Sequence, residues 1–139
     1  MNVSAWWLKL AVLYLIAGVG MGLFMAASHD HSMFPVHAHL NLLGWVSMAH
    51  LGCFYRLWPE AAGSRLAKAH FWVYVPSHFI QMVLLAALFR GNAAVEPALA
   101  VASTLVGAAI VCFAVVVWRH AQVPAVTPGA KAQPARAVG

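Results

Sequence analysis

A bundle of four membrane-spanning helices is the fold this sequence predicts, and three observations carry it. Of its 139 residues, 63% are hydrophobic and only 8% are charged, a balance that makes lipid the solvent. The apolar residues gather into four stretches, Ala5 to Ala27, Val36 to Trp58, His70 to Phe89 and Pro97 to Trp118. Each reaches about 30 Å as a helix, enough for the hydrocarbon core. Short turns separate them, and in lipid a segment of ~20 residues satisfies its own backbone amides only as a helix.

The first stretch ends in Met25-Ala26-Ala27-Ser28, small residues of the kind that precede a leader cleavage site. It is longer than a leader's apolar region and has no basic start before Lys9, so it is read as a retained span. Gly18, Gly20 and Gly22 let another helix approach it closely. Pro59 stops the second helix, Pro97 suits the start of the fourth, and Pro76 lies inside the third, where it frees a backbone carbonyl and kinks the helix. The segment from Gln122 to Gly139 is rich in Ala, Pro and Val without helical periodicity. It is expected to be a disordered tail after a transmembrane domain of residues 1–121.

Charge sets the orientation. Lys9, Arg56, Arg65, Lys68, Arg119, Lys131 and Arg136 fall on the side of the N-terminus, and Arg90 alone falls on the other. Both termini are therefore expected in the cytoplasm, in a bacterial-type inner membrane, with the segment Ser28 to Pro35 facing the periplasm or exterior. The isoelectric point near 9.8 reflects these topology signals, not a nucleic-acid partner. Cys53 and Cys112 lie in apolar helices, and the absence of C-x-x-C-H excludes covalent c-type haem. Trp6, Trp7, Trp58, Phe71, Trp72 and Trp118 are expected to anchor the inner interface, with His70 among the headgroups beside Lys68.

Histidine is the functional signal. The chain has eight, and His29, His31, His37, His39 and His50 crowd into one short window. An ionisable ring in lipid faces a partner, a wet cavity or a metal. His37 and His39, two residues apart, point about 200° apart on a helix and so serve two sites, not one small ion. By depth, His50 and His78 meet in mid-membrane, either as a second metal site or proton relay or through a hydrogen bond to the carbonyl freed by Pro76.

The run His37-Ala38-His39-Leu40 followed by Gly44-Trp45 resembles the H-x-H-L segment on the tenth helix of the catalytic subunit of the haem-copper oxidase superfamily, most closely its nitric oxide reductase branch. The resemblance implies that His37 and His39 are axial ligands of haem b on opposite faces of the second helix. It implies that Arg90 pairs with a haem propionate, where the bland reading is interfacial snorkelling. The chain resembles one of that family's three four-helix arcs, so a homo-oligomer, and specifically a trimer, would rebuild the ring with haem between subunits. Trp45 either packs on a haem edge or fills the bundle.

The departures are as informative. The third helix has no adjacent His-His pair to hold copper, and no Asp, Glu or Lys lies centrally in any helix, so proton pumping is not expected. The expected activity is electron transfer or oxygen- or nitric-oxide-related redox chemistry, as a possible oxidoreductase, with an electron donor that the sequence does not identify. The rival reading takes Met21, Met25, His29, His31 and Met33 as a soft Cu(I) site in a copper-binding or copper-delivery membrane factor. Its bland counterpart is methionine as core filler and solvated loop histidine. A structural subunit without cofactor leaves the histidine density unexplained.

Overall fold

The computed structural model describes residues 2–121, and the expected disordered tail lies outside them. The described residues are helical almost throughout: α1 (Val3–Ser28), α2 (Phe34–His39), a π-helical stretch (Leu40–Ser47), α3 (Met48–Leu57), α4 (Pro59–Gly63), α5 (Arg65–Phe89) and α6 (Glu96–His120). The Asn2 side chain caps α1 by accepting from the Ala5 amide at 3.1 Å, and Ser64 caps α5 in the same way from Ala67. Proline in the first turn starts α2, α4 and α6. Three helices are long and apolar enough to cross a membrane: Val3–Ser28, Arg65–Phe89 and Ala93–His120.

The second expected span is one continuous rod over residues 34–57, because Leu40 and Met48 keep right-handed helical angles at the joints. What divides it is the π-helical middle. A widened helix in an apolar setting must find partners for displaced carbonyls. Here the Asn41 amide donates to the His37 carbonyl at 2.9 Å, the Ser47 hydroxyl to Leu42 at 2.8 Å, and the Tyr74 hydroxyl reaches from α5 to Leu43 at 3.0 Å. Tyr74→Phe is expected to lower stability by ~1 kcal/mol through the orphaned Leu43 carbonyl, measurable as a drop in Tm in detergent.

The rods run up, down, up and down. Ser4 near the start of α1 donates to the Gly52 carbonyl in α3 at 2.9 Å, whereas His37 at the start of the second rod meets Gly18 in the C-terminal half of α1. On the far side of the bundle, Gln81 of α5 reaches Ser103 of α6 and Cys112 reaches the Leu66 carbonyl. Gly44 and Gly52 set the spacing of the first hairpin. A Cβ on Gly44 would lie 2.5 Å from Cδ1 of Tyr14, and one on Gly52 would lie 2.7 Å from Cγ of Leu8.

The half of the bundle that holds the start of α1 and the end of α3 has an aromatic core of Trp7, Tyr55, Phe71 and Tyr74 with Met48 and Leu51. A smaller cluster of Val36, Leu40, Met82 and Leu85 fills the other half. Trp7 and Phe71 are thus core residues, not interfacial anchors, because α1 and α5 pack edge to face there with ring centroids 5.0 Å apart. Trp6, Trp72 and Trp118 do face outward. Leu13, Leu23, Phe24 and Val111 are among the large apolar side chains left exposed around the bundle, a surface suited to lipid.

Candidate histidine site

Helix geometry and backbone carbonyls fix the histidine rings. His37 leans on α1, where its Nδ1 donates to the Gly18 carbonyl at 3.0 Å. A Cβ on Gly22 would lie 3.0 Å from its Cε1, so the bare backbone of Gly22 leaves the room this ring occupies. His39 turns back on its own helix, with Nδ1 donating to the Pro35 carbonyl at 2.8 Å. His50 repeats the pattern with the Val46 carbonyl at 2.7 Å. A carbonyl only accepts, so each of these Nδ1 atoms carries the proton and each neutral ring presents a bare Nε2. None of the three Nε2 atoms has a hydrogen-bonding partner among the described residues.

A histidine that ligates a metal donates its other ring N–H to a carbonyl or carboxylate, which fixes the tautomer and aims the lone pair. His37 and His39 meet that requirement at the start of the second rod, both half-buried. The π-helical stretch begins at the next residue, Leu40, a distortion that recurs at functional sites. This donor set fits an axial role toward haem iron. Space is the second half of the test. A cavity of about 560 Å³ runs between α1 and α5, but it is lined by Leu10, Tyr14, Leu40, Pro76 and other apolar residues, not by either histidine. His37 instead faces α1 at Gly18 and Gly22, while Phe34 and Leu42 of the same rod are more than 60% exposed.

The remaining sequence-predicted residues scatter. Arg90 is exposed at the C-cap of α5. Trp45 is half-buried against the inner core. His29 and His31 are exposed in the loop after α1, His29 in the left-handed region at φ 55°, ending α1. In that loop the Ser32 amide donates to Asp30 at 2.9 Å, and with the Ser32 hydroxyl and nearby His31 it holds the Asp30 carboxyl below its usual range. Met25 is buried, and Met21 and Met33 pack on the Val36 and Met82 cluster. That is a core-filling role. Among the described residues no three His, Cys, Asp or Glu side chains converge as a metal site.

His50 and His78 do not meet. His78 is fully buried, packed on Tyr14 and donating from Nδ1 to the Gln81 carbonyl oxygen at 3.1 Å, while Gln81 donates onward to Ser103. The relay is thus a polar bridge from α5 to α6, and the partner of His78 is not the carbonyl freed by Pro76. His50 instead shares a cavity with His70. His70 is the residue that sequence reasoning misplaced. It is 1% exposed, enclosed by Trp7, Tyr55, Tyr74 and Phe113, because α5 begins at Arg65 and carries it more than a turn into the bundle. The Ser64 cap followed by apolar Leu66 and Ala67 is the sequence signal for that earlier start.

Comparisons by family model, by sequence with curated proteins and by fold with solved structures give no match to this chain.

Proposed function

We propose that this chain is a haem-binding membrane protein in which His37 and His39 supply axial ligands at the outer end of the second helical rod. The rod over residues 34–57 acts as a fourth span beside the three long helices, both termini lie on the cytoplasmic side of a bacterial-type inner membrane, and the His29 to Pro35 loop faces outward. The observation that carries the reading is the matched pair of imidazoles, each with Nδ1 bound to a backbone carbonyl and Nε2 unpartnered. Supporting it are the H-x-H-L resemblance and the π-helical stretch that follows His39.

Haem b supplies one-electron chemistry, and oxygen or nitric oxide as a ligand, when held there. The chain's own residues do the positioning. Gly18 and Pro35 fix the tautomers, Gly22 leaves room for the His37 ring, and Arg90 stands on the outer side for a propionate. On the arc analogy a homo-oligomer, specifically a trimer, would close the haem sites between copies. Without a central carboxylate or lysine in the helices, the function is redox or gas chemistry without proton pumping.

The test is an absorption spectrum of the protein purified from haem-replete membranes in mild detergent. The expected result is a Soret band and alpha bands that sharpen on reduction, running with an oligomer on an unheated gel. A colourless, stably folded protein after haem reconstitution would end the proposal.

A further inference from the structure

One face of the second rod has no partner in the bundle. Leu42, Val46, His50, Cys53 and Leu57 follow one another at spacings of four, four, three and four residues, which keeps them on one side of a helix, and all five are exposed. Met48, Leu51 and Tyr55 take the buried side. The exposed stripe is apolar at both ends, and its polar chemistry is confined to His50 and Cys53.

Both of these are metal-ligating side chains. His50 donates from Nδ1 to the Val46 carbonyl at 2.7 Å, the tether that orients a ligating imidazole and leaves Nε2 bare, and Cys53 carries a free, exposed thiol. Three residues apart on one helix is a ligand spacing, the one that Glu-x-x-His pairs use in metal-binding bundles. The two stand ~10 Å and ~6 Å before the end of α3 at Leu57, so they lie within the apolar rod but close to its end. An acyl chain satisfies neither group, and a bare imidazole facing hydrocarbon is costly.

One chain supplies only this pair, since among the described residues no three His, Cys, Asp or Glu side chains converge. A second copy completes the set. Copies in one membrane share an orientation, so a two-fold axis along the membrane normal sets equal levels of their rods against each other, His50 and Cys53 facing the same residues of the partner. We infer that this stripe is a contact between two copies, whose His50 and Cys53 pairs together hold one zinc ion in a tetrahedral site of two imidazole nitrogens and two thiolates. Each thiol loses its proton to water as its sulfur–zinc bond forms, two protons per ion. Two thiolates cancel the charge of the ion, and a neutral centre suits apolar surroundings. Soft sulfur and imidazole ligands in this number and geometry select zinc over magnesium or calcium. A local two-fold of this kind joins two copies whether or not each also belongs to a trimer.

The inference rests on the proposed placement of the rod in the membrane and not on haem. Its test uses cobalt(II) as a spectroscopic stand-in for zinc: the full chain, reduced and stripped of metal in mild detergent, is titrated anaerobically and followed by difference absorption. The expected result is a thiolate-to-cobalt charge-transfer band with the intense visible bands of a tetrahedral ion, saturating at one cobalt per two chains and lost when zinc is added. Cys53→Ser should remove the charge-transfer band, His50→Leu should weaken cobalt binding about tenfold or more, and Cys112→Ser, at a half-buried thiol in α6, should change neither. Both stripe side chains are exposed, so their variants should elute as wild type. Absence of the charge-transfer band, its survival in Cys53→Ser, or saturation at one cobalt per chain overturns the assignment. A protein that lacks a Soret band yet binds cobalt in this ratio keeps this site and loses only the haem reading.

Discussion

On the proposed reading, in which the two rings hold separate iron atoms, replacing both His37 and His39 by alanine is expected to abolish the Soret band, and replacing either alone to remove about half of it. The physical reason is specific to the ring nitrogens. His37 is held by the Gly18 carbonyl and His39 by the Pro35 carbonyl, so neither can swing round to replace the other without abandoning its bond. Both rings are only half-buried, so truncation opens little core volume and the far-ultraviolet signal should persist. Added imidazole should restore part of the band in each single variant by entering the vacated ligand position, a response that a folding defect would not show. Retention of full haem in the double variant would exclude these residues as ligands. His50→Ala is the control. It removes an equally free imidazole from the opposite end of the same rod, and the Soret band should not change.

The helices were legible because a bilayer demands long apolar runs, and the predicted stretches fall within two residues of the helix ends except at the start of α5. There Arg65 and Lys68 look like loop residues, yet they form the first turn of a helix capped by Ser64, and the misjudged start misplaced His70. The π-helical stretch was illegible for a different reason. Leu40 to Ser47 reads as ordinary apolar helix, and what distinguishes it is tertiary: the Tyr74 hydroxyl on Leu43 and Tyr14 pressed against Gly44. Depth along a helix paired His50 with His78, whereas His50 shares a cavity with His70, so depth alone does not choose the partner. Azimuth decides that, and it depends on which helices pack together. The tethering of Nδ1 to carbonyls is likewise a product of folding, since Gly18 and His37 belong to different helices. The Trp7 and Phe71 assignment failed because hydropathy does not separate a tryptophan facing headgroups from one facing another helix.

The largest stability effect is expected at the glycines of the first hairpin. Gly44→Ala places a methyl 2.5 Å from Cδ1 and 2.8 Å from Cβ of Tyr14, and a Cβ cannot rotate away, so the backbones must separate. Gly52→Ala meets Leu8, including its backbone nitrogen at 3.2 Å. Overpacking of this kind costs ~1–3 kcal/mol per site, and the two sites, about two turns apart, should add in the double variant. Gly20→Ala supplies the opposite sign. Nothing lies within 4 Å of its added Cβ, so the helical preference of alanine over glycine should hold stability level or raise it by up to ~1 kcal/mol. Unfolding midpoints in a detergent titration read all four proteins, and a Gly44→Ala midpoint equal to that of Gly20→Ala would mean that α1 does not pack there. The consequence reaches the histidines. Pushing α1 away withdraws the Gly18 carbonyl from His37, so Gly44→Ala should loosen the His37 tautomer and weaken haem retention while leaving the Pro35 tether of His39 intact.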